Sequence, residues 1–238
     1  MALPMNGTPT FSMQIPSTGK KIKYRPFLVK DEKALLIAQQ SENMEVLVDT
    51  LKTVIKSCVQ DDLDVDSLAT FDFEYIFTQL RAKSVGEVIE LKLKCDTCTD
   101  DKAVATVFVD LSKLEVKKNE SHTSKISLFD DVGVVMNYPT ADLIKKLQGE
   151  LDQANIDQMF DIVADSINYI YTNDEIFHAK EQTKEELLEF LNNLTSEQFT
   201  KIQNFFATLP KLTHDITYAC PVCGKKHEKT LEGLNSFF

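Results

Sequence analysis

Four cysteines in two Cys-x-x-Cys pairs, Cys95-Asp-Thr-Cys98 and Cys220-Pro-Val-Cys223, are the residues of this chain best suited to chemistry. A thiolate binds soft and borderline metal ions well, and a two-residue gap lets both sulfurs of one turn face the same ion. Four such sulfurs complete the tetrahedral shell of Zn²⁺ at about 2.3 Å each and leave no position open for water or substrate. The chemistry this predicts is structural. Cys95, Cys98, Cys220 and Cys223 are therefore the candidate metal ligands, and structural Zn²⁺ the candidate cofactor. Two other uses of the thiols stay open. A redox dithiol ordinarily opens a helix behind a buried strand, and neither pair is followed by a helical pattern. The pairs could also be unmetallated or joined as disulfides. His227 could replace one sulfur, although its place on a returning strand reads better as a surface histidine. Cys58 falls on the apolar stripe of a predicted helix and reads as a small buried hydrophobe.

The elements that must position the pairs read as strands. Glu87-Val-Ile-Glu-Leu-Lys-Leu-Lys94 alternates, with Ile89, Leu91 and Leu93 on one face, and Ala103–Val109 behind the first pair is small and β-branched. Ile216–Ala219 and Lys225–Leu231 flank the second pair in the same way, and Gly224 permits the backbone conformation that such a turn needs. The stretch between the pairs far exceeds ordinary zinc-finger spacing. A shared ion would thus join distant parts of the chain and restrict its unfolded ensemble.

In chain order, Phe11, Met13 and Ile15 alternate, Ser17–Lys20 turns, and Ile22 and Tyr24 alternate again, which predicts a hairpin. Asp31 is placed to cap a short helix, and a second helix from about residue 43 carries Met44, Leu47, Leu51, Val54, Ile55 and Cys58 at helical spacing. The acidic stretch Asp61–Asp66 lacks the glycine and closing glutamate of a calcium loop and reads as a solvated connection. A third helix near residues 67–83 presents Phe73, Ile76, Phe77 and Leu80. Beyond the first cysteine pair, Ile126, Leu128 and Val134–Met136 predict a strand pair with Gly133 in its turn. From Thr140 to Leu209 the pattern is helical throughout: Leu143, Ile144 and Leu147, then Ile156 through Ile167 and Ile170, then two helices opened by the capping boxes Thr183–Glu186 and Thr195–Gln198. Pro210 ends the last of these.

The resulting expectation is an α+β fold: a mostly helical body with short antiparallel β-hairpins and a zinc-ribbon-like element made of two distant Cys-x-x-Cys knuckles. Residues 1–238 are expected to form a single compact unit. Within it residues 1–16 are a flexible N-terminal arm, 87–138 hold the first knuckle and hairpins, 140–210 the helical part, and 213–238 the second knuckle and C-terminal tail.

Lys20–Ala38, with its Arg25-Pro-Phe27 element, followed by Phe71–Gly86, with Arg81-Ala-Lys-Ser-Val-Gly86, resembles the T4-type bacteriophage baseplate protein family. The resemblance covers roughly the first hundred residues, and neither element is a catalytic signature. It implies a phage late protein that builds the baseplate hub of a contractile tail, as a chaperone-like assembly factor or a structural component. The implied partners are baseplate hub and tail proteins, and the implied location is the host cytoplasm during assembly or the tail baseplate of the virion.

Composition agrees with a protein that meets other proteins. The chain has 43% hydrophobic and 26% charged residues, an ordinary globular balance. A formal charge of -11 repels nucleic acid over the surface as a whole, and Asp96, Asp100 and Asp101 surround the first cysteine pair. A nucleic-acid-binding zinc module is thus the weaker alternative. No apolar run is long enough to span a bilayer and no basic-then-apolar leader opens the chain, so neither a membrane nor secretion is expected. Glycine-rich phosphate loops, Gly-x-Ser-x-Gly and His-Glu-x-x-His are all missing, and His178 sits in an acidic segment, so no enzyme and no small-molecule substrate are expected. The apolar stretches Phe11–Ile15 and Phe237–Phe238 are the candidate partner contacts.

Overall fold

In a computed structural model, residues 7–98, 100–142 and 156–236 are described. They begin with strands β1 (Phe11–Gln14) and β2 (Lys21–Tyr24) and helices α1 (Val29–Gln40), α2 (Met44–Cys58) and α3 (Thr70–Ser84). Strands β3 (Val88–Lys94), β4 (Val104–Asp110), β5 (Glu115–Lys117), β6 (Lys125–Phe129) and β7 (Val132–Met136) follow. Then come α4 (Ile156–Asp165), β8 (Ile167–Tyr171), β9 (Ile176–His178), α5 (Lys184–Asn192), α6 (Ser196–Ala207), β10 (Lys211–Ala219) and β11 (Lys226–Glu232). The chain divides into two units, residues 1–117 with 211–238 and residues 118–210.

In the first unit, β1 and β2 pair antiparallel with Met13 opposite Ile22, and Gly19 takes φ +70° in their turn. Met13, Ile15, Ile22 and Tyr24 are buried and Phe11 is half-buried, so the expected hairpin forms and covers two of the three apolar side chains of Phe11–Ile15. Phe237 and Phe238 lie outside the described residues. Helix α3 is enclosed on nearly every side: Phe71, Phe73, Ile76, Phe77, Leu80 and Ala82 are buried, as are the polar Asp72, Thr78 and Gln79. It packs against α2, β5 and β10, and Gln79 donates to the Leu111 carbonyl at 3.3 Å. At its start the buried Asp72 carboxylate accepts the Ser17 N–H at 2.9 Å, an anion well placed against a helix N-terminus. At its end Ser84 Oγ accepts the Phe27 N–H at 2.8 Å while the Phe27 ring lies 5.7 Å from that of Phe77. The Arg-Pro-Phe and Arg-Ala-Lys-Ser-Val-Gly elements therefore meet, and their joint role is to dock the entry of α1 onto the end of α3.

Helix α1 starts at Val29, three residues earlier than a cap at Asp31 would set it. The Asp31 carboxylate instead reaches back to the Leu28 N–H at 2.8 Å and takes Arg25 Nη1 at 2.8 Å and Ser57 Oγ at 3.1 Å. Asn43 caps α2 by accepting from Glu45 N and Val46 N. Strands β3 and β4 pair with Ile89 opposite Val109 and Leu93 opposite Ala105, and β10 runs between β11 and β5 in a three-stranded antiparallel sheet. Ala82, Ile89, Val109, Leu111, Leu114, Leu212, Ile216 and Leu231 close one core between the two sheets and α3. Lys117 and Lys211 are paired across β5 and β10, so the chain leaves this unit and returns to it at neighbouring positions.

The second unit holds a four-stranded antiparallel sheet in the order β6-β7-β8-β9. Ile126, Leu128, Val134, Met136 and Ile167 pack with Val163 of α4, Leu187 and Leu191 of α5, and Ile202 and Phe205 of α6. Both predicted capping boxes are present, Thr183 with Glu186 and Thr195 with Gln198. Two expectations fail here. Helix α4 stops at Asp165, and Ile167-Asn-Tyr-Ile-Tyr171 is a strand paired to β7, because β-branched and aromatic residues suit a pleated ladder better than a helix surface. The β6–β7 turn belongs to Asp130, at φ +41°, while Gly133 lies within β7. A Cβ at Gly133 would run into the Tyr171 ring and hydroxyl, which occupy that space across the sheet. Residues Leu143, Ile144 and Leu147, expected on a helix, lie outside the described residues.

The described residues thus carry eleven strands in four sheets beside six α-helices. The fold is α+β, but the expectation of a mostly helical body is wrong. It assigned β8 and β9 to helix and shortened the hairpins.

Candidate metal centre

Each cysteine pair sits at the end of its own hairpin. In the first, Cys95 continues β3, its N–H donates to the Ala103 carbonyl at 2.9 Å, and Ala103 N–H closes back on Asp100 at 3.0 Å. In the second, Cys220 N–H donates to Lys225 at 2.9 Å, Gly224 N–H donates to Cys220 at 3.0 Å, and Gly224 takes φ +71°. That left-handed conformation is what the glycine supplies, since side-chain-bearing residues adopt it at a cost. The N–H groups of Val222 and Cys223 point at Cys220 Sγ at 3.4 and 3.5 Å.

The two turns converge. Cys95 Sγ lies 4.0 Å from Cys223 Sγ, Cys98 Sγ lies 3.9 Å from Cys220 Sγ, and all four sulfurs fall within 4.8 Å of one another. Cys98 and Cys220 are 122 positions apart in sequence. The expectation of a ribbon-like element with two distant knuckles is therefore corrected to one cluster, because β10 lies beside β4 and brings the hairpin ends together. Cys95 and Cys220 are buried against Ala103, Cys98 is half-buried, and Cys223 reaches the surface.

These separations discriminate between uses of the thiols. A sulfur-sulfur bond is about 2.05 Å long, whereas the edge of a tetrahedron with metal–sulfur bonds of about 2.3 Å is about 3.8 Å. The Cys95–Cys223 and Cys98–Cys220 separations fit the second figure, and all five cysteines are free thiols. The protonation pattern agrees. The Thr97 hydroxyl and the Thr97 and Cys98 N–H groups bring the Cys95 thiol down to about 5, whereas Cys98, crowded by Cys223 and by burial, is pushed up to about 12. The Lys225 N–H lowers Cys223. Four thiolates this close repel one another, so a proton stays on Cys98 unless a cation takes its place. The residues present can hold a metal ion.

Other sequence candidates fall elsewhere. Cys58 is fully buried on α2, where burial raises its thiol, as a core hydrophobe should be. The Asp61–Asp66 carboxylates serve the local fold: Asp61 accepts the Lys23 N–H and Asp66 pairs with Lys52 at 2.9 Å. His178 is exposed, with its ring edge-on to Tyr169. Two contacts were not read from sequence. Thr97 Oγ1 and His227 Nε2 each lie 3.3 Å from Cys95 Sγ. For Thr97 the signal was its place inside the first pair. For His227 it was its distance of four residues from Cys223, which required the register of β10 with β11 to interpret.

Compared with protein families, residues 8–238 match the model for the T4 bacteriophage base plate protein. The chain belongs to that family. The match runs past the first hundred residues, to which the motif resemblance was confined, and takes in both cysteine pairs and the second unit. Neither curated proteins nor solved structures give a match. Membership implies contact with other phage tail or baseplate proteins. Among the described residues, no helix is long and apolar enough to cross a membrane.

Proposed function

We propose that this baseplate protein acts without catalysis in assembling the baseplate hub, as a chaperone-like factor or a structural component, and that Cys95, Cys98, Cys220 and Cys223 hold a structural Zn²⁺. The match over residues 8–238 carries the first part. The convergence of four sulfurs within 4.8 Å carries the second. When bound, the ion supplies a cross-link: it fastens the β3–β4 hairpin to the β10–β11 hairpin across the whole of the inserted second unit. Restraining so long a loop removes conformations from the unfolded chain, which is how such a clasp stabilises.

Assembly takes place in the host cytoplasm on this reading, and all 238 residues act as a single unit. One calorimetric transition agrees with that; two separate ones overturn it. The functional part is tested by infecting cells with phage lacking this protein and complementing with the wild type or with Cys95→Ser/Cys220→Ser. Loss of hubs in the knockout, restored by the wild type, is expected. Normal hubs without the protein would end the assembly proposal. Mass spectrometry of purified virions then separates the two forms, since a component stays in the particle and a chaperone leaves it.

A further inference from the structure

Two side chains outside the four sulfurs address one of them. His227 sits on β11 directly across from Tyr218 of β10, and the two rings stack at 5.0 Å with 16° between their planes. Tyr218 is buried, so the stack holds the imidazole against a packed wall. In that position His227 Nε2 lies 3.3 Å from Cys95 Sγ, while Thr97 Oγ1 approaches the same sulfur at 3.3 Å. The atoms that converge as ligands are the four sulfurs alone among the described residues, and His227 Nε2 is not one of them. It stands at hydrogen-bonding distance from a ligand rather than among the ligands.

We propose that His227 is a positioning residue of the metal site: its imidazole carries a proton on Nε2, donates it as a hydrogen bond to the Cys95 thiolate, and so stabilises the loaded site. This rests on the metal reading above. A thiolate has several lone pairs, and a metal uses one. Those left over attract protons and electrophiles unless donors occupy them. At Cys95 the imidazole and the Thr97 hydroxyl fill that role; at Cys220 the Val222 and Cys223 N–H groups do. A divalent ion with four thiolates keeps a net charge of about -2 in a chain that is already acidic, so each donor stabilises the loaded site. Partners of this kind change metal affinity by about 10- to 100-fold when removed.

Three proteins test it: the wild type, His227→Phe, which keeps the ring stack and loses the donor, and His227→Gln, whose amide nitrogen replaces Nε2–H. Each is loaded with Zn²⁺ and titrated with a chelator of known affinity, and each is loaded with Co²⁺ for its absorption spectrum. The proposal expects zinc binding weakened about 10- to 100-fold in His227→Phe and largely recovered in His227→Gln. It also expects an unchanged four-sulfur Co²⁺ spectrum in all three. Equal zinc affinity in the wild type and His227→Phe overturns the role of His227 and leaves the metal site standing. A wild-type Co²⁺ spectrum of three sulfurs and one nitrogen overturns it as well, because the imidazole would then be a ligand. A wild type that takes up neither ion removes the metal reading, and this inference with it.

Discussion

Glu74 should make this protein less stable as the pH rises through neutrality. Its side chain lies on α3 beneath the C-terminal turn, where its carboxylate accepts the Leu234 N–H and would meet a Cβ on Gly233 at 3.3 Å. Burial, foremost, and then the nearby Glu232 push its pKa from the ordinary 4.5 to about 7, against the pull of the Leu234 N–H and Lys211. Between those values the folded protein holds a proton that the unfolded chain has released, so the slope of stability against pH is negative there. Stability from this group is complete below 4.5 and is lost as the pH passes 7. At about 1.4 kcal/mol per pH unit the full loss is about 3 kcal/mol, of which about 1 kcal/mol is already incurred at pH 5. Glu74→Gln keeps a carbonyl oxygen for Leu234 and removes the charge. Urea denaturation of both proteins at pH 5 and pH 8 should show the variant gaining about 2 kcal/mol on the wild type between the two conditions. A difference that does not change with pH, or one that moves against the variant, would refute the reasoning.

Asp31 has the opposite sign. Burial raises its carboxyl, but hydrogen bonds from Arg25, the Leu28 N–H and Ser57 together outweigh burial and hold it below the usual range. Its stabilisation is present above the unfolded value and lost as pH falls through the folded one. Asp31→Ala, which strands a mostly buried Arg25, should cost about 3 kcal/mol at pH 7 in denaturant melts, with the gap narrowing near pH 3. Gly133→Ala should cost about 2 kcal/mol by forcing Tyr171 off β7, read as a lower melting temperature and loss of the Lys125–Tyr171 contact in NMR spectra. A melting temperature equal to the wild type's would show that the ring has somewhere else to go.

Local chemistry was legible where it was self-contained. The capping boxes at Thr183 and Thr195, the Asn43 helix start and the alternation that builds β3 each concern residues a few positions apart. The four sulfurs were legible as types and spacing, since metal chemistry restricts the donors to few patterns. What sequence could not supply was pairing. Ile167–Tyr171 contains apolar residues that fit the end of a helical stripe, and its β-branched and aromatic content became decisive only with its pairing to β7 and β9. Gly133 looked like a turn residue because the Tyr171 ring that requires it lies 38 positions away across the sheet. His227 was likewise placed on its strand correctly, but its contact with Cys95 depends on two hairpins from opposite ends of the chain arriving at one point.

The clasp itself is tested most directly by elemental mass spectrometry of the protein purified without added metal or chelator. One zinc per chain is predicted, absent from Cys95→Ser/Cys220→Ser and accompanied by a large fall in thermal stability. A wild-type protein that contains no metal, leaves the four thiols of the cluster titratable and melts no lower after chelator treatment would contradict it.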